Sequence, residues 1–153
     1  VRTTLKLKGK PQKTPKFSED LAEKCRVPNS KIMISFGCVT SNKNYNFRYF
    51  KKDIRKNLST REALDELLEK ITSLTWAEAS NLSKYDIGGF ELIPFEQMTP
   101  IQINNLDVTK DTGIYTFRFN SNACRLCGVK DKHCNVLYII AYDFSFKLYK
   151  HGS

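Results

Sequence analysis

A chain of 153 residues, 41% hydrophobic, is long enough to bury one core without disulfides, so a single domain is expected and a disulfide-stapled miniprotein is excluded. Its 25 Lys and Arg against 16 Asp and Glu leave a net charge of +9, which favours anionic partners such as nucleic acid. No apolar run reaches the ~18 residues of a membrane span, and the N-terminus lacks the hydrophobic core of a signal peptide, so no membrane association is expected.

Five scattered cysteines, an odd number, do not make a disulfide framework, and reduced thiols in a cytoplasmic protein are the expectation. The charge is unevenly placed. Residues 1–16 hold Arg2, Lys6, Lys8, Lys10, Lys13 and Lys16 with no acid, whereas the remainder carries 19 basic against 16 acidic side chains. With Gly9, Pro11 and Pro15 among those cations, residues 1–16 read as a basic flexible tail ahead of a single α+β domain at 17–153. Two roles fit the tail: a solvated solubility segment, or an arm for nucleic acid or another partner.

Phe17 to Arg26 suits a short helix, with Ser18 as N-cap and Pro28 as its stop; Leu21, Ala22 and Cys25 fall on one side. Lys31 to Val39 alternates as a strand, placing Ile32, Ile34, Phe36 and Cys38 on one face. From Phe47, the run FRYFKKDIRKN sets Arg48, Lys51, Lys52, Arg55 and Lys56 among Phe47, Tyr49, Phe50 and Ile54, with only Asp53 to offset them. As a helix it would align cations 48, 51, 52 and 55 into a phosphate-gripping strip; the alternative is an ordinary solvated face.

Ser59-x-x-Glu62 predicts a capping box opening a helix to Leu74, with Leu64, Leu67, Leu68, Ile71 and Leu74 as its buried stripe. A second box, Thr75-x-x-Glu78, starts a short helix through about Leu82, in which Trp76 reads as a packing anchor rather than a base-stacking residue. Gly88-Gly89 leads into FELIPFEQM, where Pro94 confines any strand to a sheet edge. The polar connection 99–112 is either a loop over a site or an element without a clear pattern.

Ile114 to Asn120, Cys124 to Lys130 and Asn135 to Phe144 form the expected three-stranded antiparallel meander. A tight turn at Ser121-Asn122 pairs Phe119 with Cys124 and sets Arg118 opposite Arg125. Like charges side by side call for an anion, either a bound phosphate or an acid such as Glu91 or Asp143. The next hairpin is expected to pair Arg125 with Ile140, bringing Tyr138 and Tyr142 to the arginine face while Phe117, Phe119, Leu126, Leu137, Ile139 and Ala141 line the core face. Cys124 and Cys127 are three apart on a strand and point to opposite faces, so Cys124, Cys127, His133 and Cys134 are not read as a zinc site, and no metal or other cofactor is expected.

The fold class is therefore α+β, with helices on one face of a mainly antiparallel sheet ending in the meander. Strand, two helices and a meander carrying R-F, C-R-L-C-G and Y-D-F-S-F-K-L-Y-K-H resembles the RelE/ParE/HigB-like bacterial toxin superfamily over residues 32–151; residues 1–31 have no counterpart. The resemblance implies a metal-independent endoribonuclease acting on mRNA, at the ribosome, and held by an antitoxin protein. It further implies that Arg118 and Arg125 stabilise the scissile phosphate, Lys147 assists, and Tyr149 or His151 moves the proton. The residues alone equally support a non-catalytic nucleic-acid-binding module built on the basic tail and the 48–56 strip, or a protein-interaction domain.

Overall fold

The computed structural model describes residues 30–50 and 57–150. The tail 1–16, the helix expected at 17–26 with Cys25, and Lys51, Lys52, Arg55, Lys56 and His151 lie outside the described residues. Strands β1 (Met33–Ser35), β2 (Phe90–Pro94), β3 (Gly113–Phe119), β4 (Cys124–Lys130) and β5 (Val136–Asp143) form one sheet in the order β1-β5-β4-β3-β2. Only β1 pairs in parallel, with β5; the other ladders are antiparallel. Pro94 ends β2, an edge strand, where its missing N–H costs no ladder bond.

Helix α1 (Leu58–Ser73) lays Leu64, Leu67 and Ile71 into a core with Phe117, Phe119, Leu126, Leu137 and Ile139 from the sheet. Its N-cap is Asn57, without a side-chain cap bond, so Ser59 and Glu62 sit inside the first turns and the expected box does not form. The chain enters its helical conformation one residue before the motif, and a Ser within the helix no longer has the extended backbone from which a cap is offered. The second box does form around α2 (Trp76–Ser80). Thr75 Oγ1 accepts from Glu78 N at 3.1 Å, and Glu78 Oε2 accepts from Thr75 N at 2.7 Å. Trp76 is a packing anchor, edge-on to Tyr115 and Phe90.

Among the described residues, no α-helix covers the opposite sheet face. Ile101, Ile103, Leu106 and Val108 from the 99–112 connection pack with Ile114, Cys127, Ile140 and Leu148, and Asn104 Nδ2 donates to Val39 O at 2.9 Å. The connection is thus part of the core cover, its apolar residues masked in the sequence by intervening Gln, Asn, Asp and Thr.

Two register findings position the arginines. Asn120 O accepts from Ala123 N at 3.0 Å, and Ser121 and Asn122 have φ of 52° and 68°, a type I′ turn that pairs Arg118 with Arg125 as expected. The next hairpin differs. Cys127 pairs with Ala141 but Gly128 with Ile139, so Ile140 is an extra residue in a bulge, and Arg125 faces Asp143 rather than Ile140. The bulge turns Ile140 and Ala141 to the same face and sends Tyr142 to the helix side, reversing the expected positions of Ala141 and Tyr142. Thr40 N donates to the bulged Ile140 carbonyl at 2.8 Å. β1 is also shorter than the alternation predicts: Ile32 and Cys38 are buried, but Phe36 lies beyond the last ladder pair, 51% exposed.

Candidate nucleic-acid interface and the arginine network

Arg118 and Arg125 are held by the fold. Glu91 Oε1 lies 3.1 Å from Arg118 Nη2, and its other oxygen is 3.2 Å from Lys84 Nζ. Tyr85 stacks beneath the Arg118 guanidinium at 4.5 Å. Arg125 is 2% exposed: its Nη1 donates to the carbonyls of Asn122 (2.6 Å) and Cys124 (2.9 Å), its Nε to the Tyr149 hydroxyl (3.2 Å), and Phe146 covers it at 4.8 Å. The Tyr149 hydroxyl donates in turn to Glu91 Oε1 at 3.4 Å. One network therefore gathers Arg118, Arg125 and Tyr149 around a single acid, Glu91, with Arg125 held by carbonyls and the phenol, while the buried Arg118 Nε has no hydrogen-bond partner.

The electrostatics of the network follow from these contacts. Burial pushes the Glu91 carboxyl up, but Lys84 and Arg118 outweigh it and hold the group below the usual glutamate range. Burial drives the Tyr149 phenol up to about 12 against the opposing bond from Arg125, so it is neutral near pH 7 and serves as a hydrogen-bond link. Asp143, fully buried, accepts from the amides of Lys147 (3.0 Å) and Leu148 (2.9 Å) and so shapes the turn that returns the C-terminal segment to the sheet. Thr99 N donates to Leu148 O at 2.6 Å and fastens that segment. Lys147 is exposed, and with Lys150, Tyr149 and Glu96 it borders a cleft of about 670 Å³.

Cys124 and Cys127 behave as small apolar groups. Cys124 faces the helix-side core and Cys127 the opposite one, and burial raises the Cys127 thiol to about 12. Among the described residues no cluster of three or more His, Cys, Asp or Glu is placed to hold a metal ion.

Charge is unevenly distributed along the sequence. The described residues carry 13 Lys and Arg against 12 Asp and Glu, a balance of +1. Residues 1–29 carry eight against three, and residues 51–56 four against one. The 51–56 run continues directly from the 3-10 turn Phe47–Phe50, which presents Phe47 (51% exposed) and Tyr49 (43%) on either side of exposed Arg48. Beneath them, Phe50 and Phe144 anchor the turn: their rings are 4.4 Å apart, Tyr49 stacks on Phe144 at 5.8 Å, and Phe47 leans on Tyr142 at 4.8 Å. The mixed aromatic and cationic sequence announced the exposed Phe47-Arg48-Tyr49 turn; Phe144, on which it packs, carries no such signal because it comes from a distant part of the chain.

Comparison with protein-family models, with curated proteins and with solved structures gives no match. The toxin-like reading accordingly rests on the sequence pattern alone. No described helix is long and apolar enough to cross a membrane.

Proposed function

We propose that the chain is a non-catalytic, cytoplasmic RNA-binding module whose contact surface is the aromatic and cationic segment 47–56, assisted by the basic residues 1–16. The charge distribution along the sequence carries this reading: residues 1–16 hold six cations and no acid, residues 51–56 hold four cations and one acid, and the latter follow in sequence on the exposed rings of Phe47 and Tyr49. Arg118 and Arg125, each engaged by acids, carbonyls or Tyr149, support a structural assignment for the meander arginines.

The toxin-like endoribonuclease is the second reading, favoured by one observation: exposed Lys147 and Lys150 border the same cleft as Tyr149. A single experiment separates the two. The purified chain is titrated into labelled mRNA, with binding followed by anisotropy and ends mapped after incubation in a translating bacterial extract, beside a Lys51→Gln/Lys52→Gln/Arg55→Gln/Lys56→Gln variant and a Lys147→Ala/Lys150→Ala variant. RNA bound intact, and bound more weakly by the first variant, is the expected result. New RNA ends that vanish with Lys147→Ala/Lys150→Ala establish the ribonuclease instead, and a parent that binds no RNA at low salt overturns the module.

A further inference from the structure

Strand β2 leaves one of its two edges open. Phe95 N donates to Thr112 O at 3.0 Å, and Phe95 continues the register in which Ile93 stands opposite Ile114 and Glu91 opposite Thr116. Antiparallel ladders alternate, so Glu91 and Ile93 also turn their amides and carbonyls to β3, while Phe90, Leu92 and Pro94 turn theirs away from it. The outer edge therefore offers the N–H groups of Phe90 and Leu92 and the carbonyls of Phe90, Leu92 and Pro94, proline having no donor. Among the described residues β3 is the sole strand paired with β2, and no other backbone group bonds to this edge. The opposite border of the sheet is closed differently: β1 has three residues, and Ile32 N, just ahead of it, donates to Leu74 O at 2.8 Å.

At the middle of β2, Leu92 is 54% exposed. An open edge with an apolar side chain at its centre is a template for another strand. The strand that fits must bring acceptors for two N–H groups, an apolar group opposite Leu92 and no carboxylate opposite Glu91. β2 of a second copy, run antiparallel, meets all three needs. Two registers use all four N–H groups of such a pair, and charge decides between them. With Glu91 on the twofold axis, the two Glu91 carboxylates stand directly opposite each other, which destabilises the pair. With Leu92 on the axis, Leu92 meets Leu92 and exchanges two bonds, each Phe90 N–H reaches the Pro94 carbonyl of the other copy, and each Glu91 lies opposite Ile93. That register also sets the start of β2, near Lys84 and Asp86, beside the end of the second copy's β2, near Glu96 and Lys110. Each end holds one acid and one base, a local balance in a chain of net charge +9.

We infer that the outer edge of β2 pairs with β2 of a second copy of this chain about a twofold axis through Leu92, joining the two sheets into one continuous sheet. The pairing covers both exposed Leu92 side chains with each other and leaves the β2–β3 ladder untouched. It stands independently of the RNA-binding reading. Because backbone bonds and an apolar contact hold it, it persists at salt concentrations that weaken phosphate binding.

The test is sedimentation velocity of the full chain, freed of nucleic acid, over a concentration series, beside Leu92→Lys and Leu92→Glu. Leu92 lies outside both core clusters, so thermal melting of the variants should match the parent. The parent should shift reversibly from monomer to dimer as concentration rises. Each variant, with like charges across the axis, should remain monomeric, and an equimolar mixture of the two should regain the dimer because opposite charges then meet. A second readout needs no variant: in the parent, amide exchange at Phe90 and Leu92 should slow with rising concentration, while Glu91 and Ile93, already bonded to β3, stay unchanged. A parent that is monomeric throughout, a dimer that survives both substitutions, or a mixture of folded variants that stays monomeric overturns the inference. So does a dimer whose Phe90 and Leu92 amides exchange at the monomer's rate, which assigns the contact to another surface.

Discussion

Arg125 and Glu91 show how buried charge is used at the scale of single residues. Arg125 ties the Asn120–Ala123 turn to the C-terminal segment through carbonyls and Tyr149, and it stands opposite buried Asp143 in β5. Removing one member of such a buried set leaves the others uncompensated; Arg125→Ala should cost about 3–5 kcal/mol in a denaturant titration. Tyr149→Phe, which deletes only the shared hydroxyl, should cost about 1–3 kcal/mol by the same measurement. Glu91 is held below the usual glutamate range, so the folded state binds its proton less readily than the unfolded chain does. Its contribution to stability is therefore complete above the unfolded glutamate pKa and is lost as pH falls through the lower, folded value. Melting followed from neutral to acid pH should show a stability component lost in that acid window and missing in Glu91→Gln. A Glu91→Gln protein whose acid profile matches the parent's would contradict the ion pairs assigned to this carboxylate. Gly128 sits at the bulge, where an added Cβ would lie 2.7 Å from Leu137 Cδ1 and 2.9 Å from Tyr138 O. Since backbone on one side cannot give way cheaply, Gly128→Ala should lower the melting temperature by several degrees, an effect of about 1–3 kcal/mol.

Among the elements, α1 is joined to the sheet through fully buried Leu67 and Ile71, and Leu67→Ala should lose about 2–5 kcal/mol of unfolding free energy. Thr75→Ala, which removes the observed capping box of α2, should cost about 0.5–2 kcal/mol, while Ser59→Ala should be nearly silent because Ser59 caps nothing. These paired substitutions also show where local sequence is sufficient. The apolar stripe of α1, the Thr75 box and the Ser121-Asn122 turn could be read because each depends on residues within one or two turns of chain, and the turn alone fixed Arg118 against Arg125. The register of the second hairpin was not legible: Lys130 pairs with Leu137, further along β5 than the expected register allows, and the extra residue at Ile140, which leaves no mark in a run of apolar residues, adds to that shift, so that Asp143 stands opposite Arg125 and Tyr142 turns inward. The cover formed by residues 101–108 was hidden for a related reason: its apolar residues contact the sheet at irregular spacing and match neither helical nor strand period. Of the expected 48–56 strip, Arg48 lies on the exposed 3-10 turn Phe47–Phe50, and Lys51, Lys52, Arg55 and Lys56 lie outside the described residues. The pairing of Arg118 with Glu91, and the seat that Phe144 gives to Tyr49 and Phe50, required the tertiary arrangement.

For the whole molecule, the concentration of positive charge in residues 1–16 and 51–56 of the sequence makes salt the natural probe. Phosphate binding releases condensed counterions, so affinity for a single strand should fall with a slope of about −0.7 in log K against log salt for each phosphate contact. Stability of the body, dominated by apolar burial on both sheet faces, should change little over the same salt range. The most direct test is therefore the salt dependence of single-stranded RNA binding for the parent and for Lys51→Gln/Lys52→Gln/Arg55→Gln/Lys56→Gln. A steep slope for the parent, shallower by roughly 2–3 in the variant, is the predicted result, following from up to four lost contacts. Identical slopes for the two proteins would contradict the assignment of RNA contact to this segment.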